Sequence, residues 1–192
     1  EADLTLENGE YVAEKSIPAL ARGGKILGNH IDDVTICGTD EELIGVIAAG
    51  DTELVINNLH IDFEGDNASQ MVNDFIGVGA GVACYDNAKV TINDSVIRFN
   101  AVTRCTIHAG GHSDVTVNNC ELVNNSPATT KMRANWCIGL RGTNRCTQLC
   151  EYATVHYNNC YIKSNGWGVM SIDGNMDNHM YLKDCTMELT GT

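Results

Sequence analysis

A block of eleven residues recurs five times along this chain and constrains its fold more than any other feature. Each copy is an alternating apolar–polar run, then a polar pair that is usually Asn-Asn or Asn-Asp, then a second alternating run. The copies are Leu54–Glu64 (LVINNLHIDFE), Val90–Asn100 (VTINDSVIRFN), Val115–Asn125 (VTVNNCELVNN), Val155–Asn165 (VHYNNCYIKSN) and Met180–Thr190 (MYLKDCTMELT). A degenerate copy is predicted to begin at Val34. The starts lie 20, 36, 25, 40 and 25 residues apart, which indicates a unit of 20 to 25 residues with two insertions.

The alternation has the two-residue period of a β-strand, because successive side chains of a strand point to opposite faces. The asparagine pair predicts a sharp corner, since asparagine tolerates the left-handed backbone conformation. Each unit is therefore predicted to be strand, corner, strand. One such unit cannot bury its own apolar face, so we expect the units to stack and each strand to pair with its equivalent in the next unit.

Stacking predicts columns of equivalent side chains. One inward column comprises Leu59, Ser95, Cys120, Cys160 and Cys185. The next comprises Ile61, Ile97, Leu122, Ile162 and Met187, and the column before the corner holds Val90, Val115 and Val155. Adjacent units lie roughly 4.8 Å apart, so stacked thiols are expected to pack as small apolar groups without bonding.

A third strand precedes the block in several units. These strands are Gly81–Tyr85, Arg104–His108, Trp136–Leu140 and Gly168–Ile172. With its asparagine corners and three strands per rung, the chain from 34 to 190 resembles the pectate-lyase-like superfamily. The resemblance implies an all-β fold, a right-handed parallel β-helix. Residues 1–33 are expected to form an entry coil or partial cap. The rungs from 34 to 192 are expected to be truncated at their C-terminal end, because nothing like a cap follows the last block.

Composition excludes several classes of protein. Aromatic residues make up 6% of the chain and there are two prolines, whereas glycine is frequent, which favours short strands and turns over a helical bundle. With 25 acidic and 12 basic residues, the net charge of −13 disfavours nucleic acid and anionic lipid as partners. We find no membrane span of about 20 apolar residues.

Nine cysteines are many for a chain of this length. Three of them fall in one predicted column and most are interpreted as unbonded thiols, but Cys146 and Cys150 lie in the longer insertion. That pair is interpreted as a local disulfide, a metal clip or two unrelated thiols.

The end of the third strand carries the candidate catalytic residues. Aligning the third strands on Val82, Cys105, Cys137 and Val169 places Asp86, Ala109, Arg141 and Asp173 in one column, with His108 beside it. This patch offers a proton donor, a base and a guanidinium that can hold a carboxylate in two-point contact, which suits acidic-sugar chemistry. The alternative is that these are ordinary polar residues at solvated turns, since only the alignment joins them. His112 is four residues from His108, but the Ala-Gly-Gly between them disfavours a helical metal pair.

The insertions are predicted to build a binding wall, because loops on one face of a stacked fold often carry the binding site. The substrate-binding candidates are Tyr85, Trp136, Trp167, Lys131, Arg133 and Arg145, where the tryptophans would stack on a sugar ring or pack at the strand ends. No cofactor is expected, and Ca²⁺ is only weakly suggested. The Asn-Thr-Asp, Asp-Asp and Gly-His-Gly set of polygalacturonase-like enzymes and the clustered aspartates of pectate lyases are not matched in order.

Two functions are therefore kept open. The first is a carbohydrate-directed enzyme, of lyase, hydrolase or isomerase type, acting on a polyhydroxylated or acidic substrate in a groove on the third-strand face. The second is a non-catalytic cell-surface or adhesin-like solenoid. Carbohydrate is the expected partner, together with the rest of its own chain or a second chain that continues the coil. An extracellular or cell-surface location is expected from the fold, whereas unpaired thiols would suit the cytoplasm of an anaerobe.

Overall fold

Every regular element in the described part of the chain is a β-strand. The structure, a computed structural model, describes residues 2–5, 7, 9–12, 17–18, 24–27, 34–38, 44–63, 80–99, 105–125, 136–141, 152–164, 168–173 and 177–190. These residues form twenty strands in three sheets. The all-β prediction is confirmed within these ranges.

The strands distribute over three sheets in strict rotation. The first sheet contains β1 (Ala2–Thr5), β4 (Gly24–Leu27), β7 (Glu53–Asn57), β10 (Lys89–Asn93), β13 (Asp114–Asn118), β16 (Thr154–Asn158) and β19 (His179–Lys183). The second contains β2 (Gly9–Val12), β5 (Val34–Gly38), β8 (His60–Phe63), β11 (Val96–Phe99), β14 (Glu121–Asn124), β17 (Tyr161–Ser164) and β20 (Thr186–Leu189). The third contains β3 (Ile17–Pro18), β6 (Ile44–Ala48), β9 (Ala80–Cys84), β12 (Cys105–Ala109), β15 (Trp136–Arg141) and β18 (Gly168–Asp173).

Each strand pairs in parallel with the strand three places further along the chain. We call three consecutive strands, one from each sheet, a repeat. Strands β1 to β4 pair in the same way, so residues from the 1–33 segment join the same sheets. The boundary that the sequence suggested at residue 33 stays a prediction.

The columns predicted from the repeat are confirmed by the register. The second sheet aligns Ile61, Ile97, Leu122, Ile162 and Met187. The first sheet aligns Val90, Val115 and Val155. In the cysteine column, the residue after each member donates its N–H to the carbonyl of the previous member, as Tyr161 does to Cys120 at 2.9 Å. The first four members of that column, Leu59 to Cys160, are buried and lie in the core between the sheets.

One copy of the repeat was placed wrongly. The strand at Val34 belongs to the second sheet, where Ile36 pairs with Ile61, and not to the first. The first-sheet strand upstream of β7 is β4, whose Ile26 pairs with Ile56. The short apolar run Val34-Thr-Ile has strand alternation but lacks the following asparagine pair, so alternation alone did not fix its sheet.

The asparagine corners are confirmed by the backbone. A left-handed residue ends each first-sheet strand from β7 onward: Asn58, Asp94, Asn119, Asn159 and Asp184, with φ between 50° and 56°. Asparagine and aspartate occupy this conformation at lower cost than other residues with a side chain. The corner therefore turns the chain from the first sheet into the second at the same level of each repeat from β7 onward.

The residues before the first four of these corners form a ladder of side-chain amides. Asn93 donates its amide N–H to the side-chain oxygen of Asn57 at 2.7 Å. Asn118 donates in the same way to Asn93, and Asn158 to Asn118, both at 2.8 Å. The two interior amides, those of Asn93 and Asn118, each donate an N–H to the asparagine of the previous repeat and accept one from the asparagine of the next. Both polar ends of these two side chains therefore have a hydrogen-bond partner.

Candidate functional site

The third sheet brings two of the predicted catalytic residues side by side. Arg141, the last residue of β15, is the register partner of Asp173, the last residue of β18. The two positions therefore lie in adjacent parallel strands, at a spacing of about 4.8 Å between strands. The side chains of these two residues are outside the described part of the structure.

The other members of the predicted column are displaced. The register pairs Ala109 with Cys84 and with Leu140, so Asp86 lies two residues beyond the level of Ala109, and Arg141 one residue beyond it. The prediction of one column containing Asp86, Ala109, Arg141 and Asp173 is therefore wrong, although its Arg141–Asp173 part is right. The alignment failed because β12 has apolar residues at every second position, 105, 107 and 109, and the register pairs Val82 with Ile107 rather than with Cys105.

His108 lies beneath the surface, in contact with Tyr85. His108 is 2% exposed, and its neighbours in the chain, Ile107 and Ala109, belong to the apolar core. A hydrogen bond of 3.1 Å joins Nδ1 of His108 to the hydroxyl of Tyr85. The rings meet edge to face, with centroids 5.5 Å apart and an angle of 86° between their planes. Tyr85 is half-buried, whereas His108 is almost fully buried.

Asp86 has a structural task that the sequence did not indicate. It is an exposed corner residue with φ of 57°, and its carboxylate accepts the N–H of Gly50 from the previous repeat at 3.0 Å. The next side chain, Asn87, donates to the carboxylate of Asp51 at 2.9 Å. These contacts tie two corners together and account for an acidic residue at position 86.

Most of the predicted binding wall lies outside the described residues. This holds for Trp167, Lys131, Arg133 and Arg145, and for the Cys146–Cys150 pair. Trp136 opens β15 and pairs with Gly168 in the backbone register, and its side chain is likewise not described. The roles of these residues stay predictions.

A group of stacked rings on the first-sheet side was missed. His112 stacks on Tyr152 with centroids 4.6 Å apart, and His156 stacks on Tyr181 at 4.7 Å. The ring of His179 is also nearly parallel to that of Tyr181, with the two centroids 6.0 Å apart. The signal was present in the sequence, because His156 and Tyr181 occupy the same position in two copies of the repeat. The stacking on Tyr152 gives His112 a role unrelated to His108.

The described side chains include no group of three or more histidine, cysteine or acidic residues arranged to hold a metal ion. Four cysteines among them are free thiols: Cys84, Cys120, Cys160 and Cys185. Burial raises the pKa of Cys84, of Cys120 to about 12, and of Cys160 to about 11. In the described ranges no helix is long and apolar enough to cross a bilayer.

Comparison of the chain with family models, with curated proteins and with solved structures found no match. The resemblance to the pectate-lyase-like superfamily therefore stays a prediction from the repeat itself.

Proposed function

We propose that the chain is a right-handed parallel β-helix and a carbohydrate-directed enzyme that acts at the outer face of the third sheet. Parallel strands joined by crossover connections are right-handed in nearly all proteins, which supports the handedness. The three-sheet rotation supports the coil, because strands of one repeat go to three different sheets and each pairs with the next repeat. An extracellular or cell-surface location would suit such a protein.

The Arg141–Asp173 register pair next to the Tyr85–His108 contact carries the proposal. Ile107 is a fully buried core residue, and it pairs with Ile138. By the two-residue alternation of strands, residues an odd number of positions from Ile107 within β12, or from Ile138 within β15, belong to the outer face, as do their register partners in β18. His108, Arg141 and Asp173 all have that parity. The proposed site thus combines an acid, a guanidinium and a phenol that is hydrogen-bonded to an imidazole.

Each group has a chemical role in the proposal. The Arg141 guanidinium binds the carboxylate of an acidic sugar in two-point contact. Asp173 transfers the proton, as a general base or acid beside the bound sugar. His108 is too deeply buried to meet the substrate, so it is a positioning residue that orients the Tyr85 hydroxyl. Lys131, Arg133 and Arg145, whose positions are outside the described residues, are the proposed contacts to a polyanionic chain.

Turnover of polysaccharides tests the proposal. The protein is incubated with acidic and neutral polysaccharides, with added Ca²⁺ or with chelator, and new unsaturated ends report a lyase whereas new reducing ends report a hydrolase. Asp173→Asn and Arg141→Gln are expected to lower turnover by about 10²- to 10⁴-fold. Asp114→Asn is the matched control, since Asp114 is an exposed acid at the start of β13 in the first sheet. Turnover that survives Asp173→Asn would refute the assigned site.

Tyr85→Phe separates positioning from packing. The substitution keeps the ring against His108 and removes the hydrogen bond of 3.1 Å. We expect it to change the pH profile of turnover while circular dichroism stays the same. An unchanged profile would remove Tyr85 and His108 from the mechanism.

The second function, a non-catalytic glycan-binding surface protein, is favoured by two observations. His108 is almost fully buried, and Asp86 is bonded to the Gly50 backbone, so two of the four predicted catalytic residues have structural contacts. Saturable binding of a polysaccharide without any new ends, lost in Arg141→Gln, would establish this function in place of the enzyme.

A further inference from the structure

The thiols of Cys160 and Cys185 are neighbours in consecutive repeats. Cys160 immediately precedes β17 and Cys185 immediately precedes β20, and these two strands pair in register. The N–H of Thr186 donates to the carbonyl of Cys160 at 2.9 Å, which holds the two cysteine backbones at the same level. The two cysteines therefore occupy the same position of the column in adjacent parallel strands.

The two thiols differ in their access to solvent. Cys160 is 2% exposed, whereas Cys185 is half-buried. Both are directed toward backbone carbonyls, Cys160 toward Asn158 and Cys185 toward Lys183, each at 3.3 Å. A reagent in solution can therefore reach Cys185 first, and Cys160 is the thiol placed next to it.

We propose that Cys160 and Cys185 are a dithiol switch that small-molecule disulfides oxidise to an intramolecular disulfide. Backbones of adjacent parallel strands lie at about 4.8 Å, within the range of about 4.4 to 6.8 Å that disulfides span between Cα atoms. The rest of the column stays reduced, because Cys120 has a 3% exposed thiol and no direct contact with the reagent. The product is specific to the last described repeat.

The reaction proceeds by two exchanges in which atoms and electrons balance. The Cys185 thiolate attacks one sulfur of the reagent disulfide, forms a mixed disulfide and releases one reagent thiolate. The Cys160 thiolate then attacks the Cys185 sulfur, forms the protein disulfide and releases the second reagent thiolate. Two protein protons are lost and the reagent takes up the two electrons. Burial holds the pKa of Cys160 at about 11, so the second exchange is expected to become faster as the pH rises toward that value.

The disulfide would fasten the last described repeat, the least buried among the strands whose side chains are described, to the repeat before it. Inward residues of β19 and β20 are exposed at Leu182 (38%), Met187 (52%) and Leu189 (52%). Closing the 25-residue loop between the two cysteines restricts the states in which this repeat detaches. We expect amide hydrogen exchange in β19 and β20 to slow by about tenfold or more on oxidation.

Peptide mapping after treatment with oxidised glutathione tests the switch. The protein is oxidised in its folded state, alkylated, and cleaved with trypsin and a glutamate-specific protease. The expected product joins Tyr152–Lys163 to Asp184–Glu188, which contain Cys160 and Cys185 as their only cysteines. A lasting glutathione adduct on Cys185, or an unreacted Cys185, would overturn the proposal.

Three variants sharpen the result. Cys160→Ser is expected to trap the glutathione adduct on Cys185, because the resolving thiol is gone. Cys185→Ser should leave Cys160 unreacted in the folded protein. Cys120→Ser is the matched control from the same column and should form the disulfide as the wild type does. Loss of the linked peptide in Cys120→Ser would show that the pairing is not the one assigned.

Discussion

The middle repeats and the last described repeat share one sequence pattern but differ in burial. In β16 and β17 the inward residues Val155, Tyr157 and Ile162 are fully buried. At the equivalent positions of β19 and β20, Leu182 is 38% and Met187 52% exposed. The difference arises because the middle repeats have described neighbours on both sides, whereas β19 and β20 pair only with β16 and β17 among the described strands.

This difference shows where the stability of a stacked fold is located. An apolar residue in a repeat is buried by the repeats above and below it, and not by its own strand. The same substitution should therefore have a different energetic effect at each level of the stack. The comparison can be tested by matched substitutions within one column.

The largest effect is expected in the column that contains Ile162. Ile162→Ala leaves a cavity in the core and should lower the free energy of unfolding by about 2–5 kcal/mol. Met187→Ala, in the same column of the next repeat, removes a half-exposed side chain and should lower it by about 1 kcal/mol or less. Urea denaturation followed by circular dichroism measures both. Equal decreases in the free energy of unfolding for the two variants would mean that the position of a repeat in the stack does not determine how deeply its side chains are buried.

The structural features that recur with the eleven-residue block could be predicted from the sequence. The column that contains Leu122 and Ile162 and the left-handed corners follow from alternation and from asparagine chemistry, which are local properties. The register of the third sheet was only partly recovered, since β12 presents apolar residues at several positions and no asparagine corner fixes its level. The burial of His108 depends on what packs over it in three dimensions, and no pattern of residue types reveals that.

A second effect is expected where two corners differ only in their neighbours. Gly50 and Gly111 both have positive φ, 71° and 67°. A Cβ at position 111 would lie 2.7 Å from the backbone nitrogen and oxygen of Asp86, whereas a Cβ at position 50 would meet nothing within 4 Å. Gly50→Ala should cost only the backbone strain of about 1–2 kcal/mol. Gly111→Ala should cost about 3 kcal/mol or more, because backbone must also move.

Thermal unfolding of the two glycine variants measures this difference. Gly50→Ala serves as the control for the left-handed conformation itself. If both variants lose the same stability, the contact between Gly111 and the Asp86 backbone contributes nothing, and repeats would be joined less tightly at this corner than the structure indicates.

The last effect is expected only at alkaline pH and comes from the buried thiol column. Burial raises the pKa of Cys120 from 9.0 to about 12, so the folded protein keeps this proton after the unfolded chain has lost it. The free energy of unfolding should therefore fall between about pH 9 and pH 12, by up to about 1.4 kcal/mol per pH unit for this thiol. Cys120→Ser should flatten the slope, because serine does not ionise and Ser95 already occupies the same column, buried. Val117→Ala is the control: it should lower stability but keep the wild-type dependence on pH. If Cys120→Ser also keeps that dependence, the Cys120 thiol is not the group that titrates.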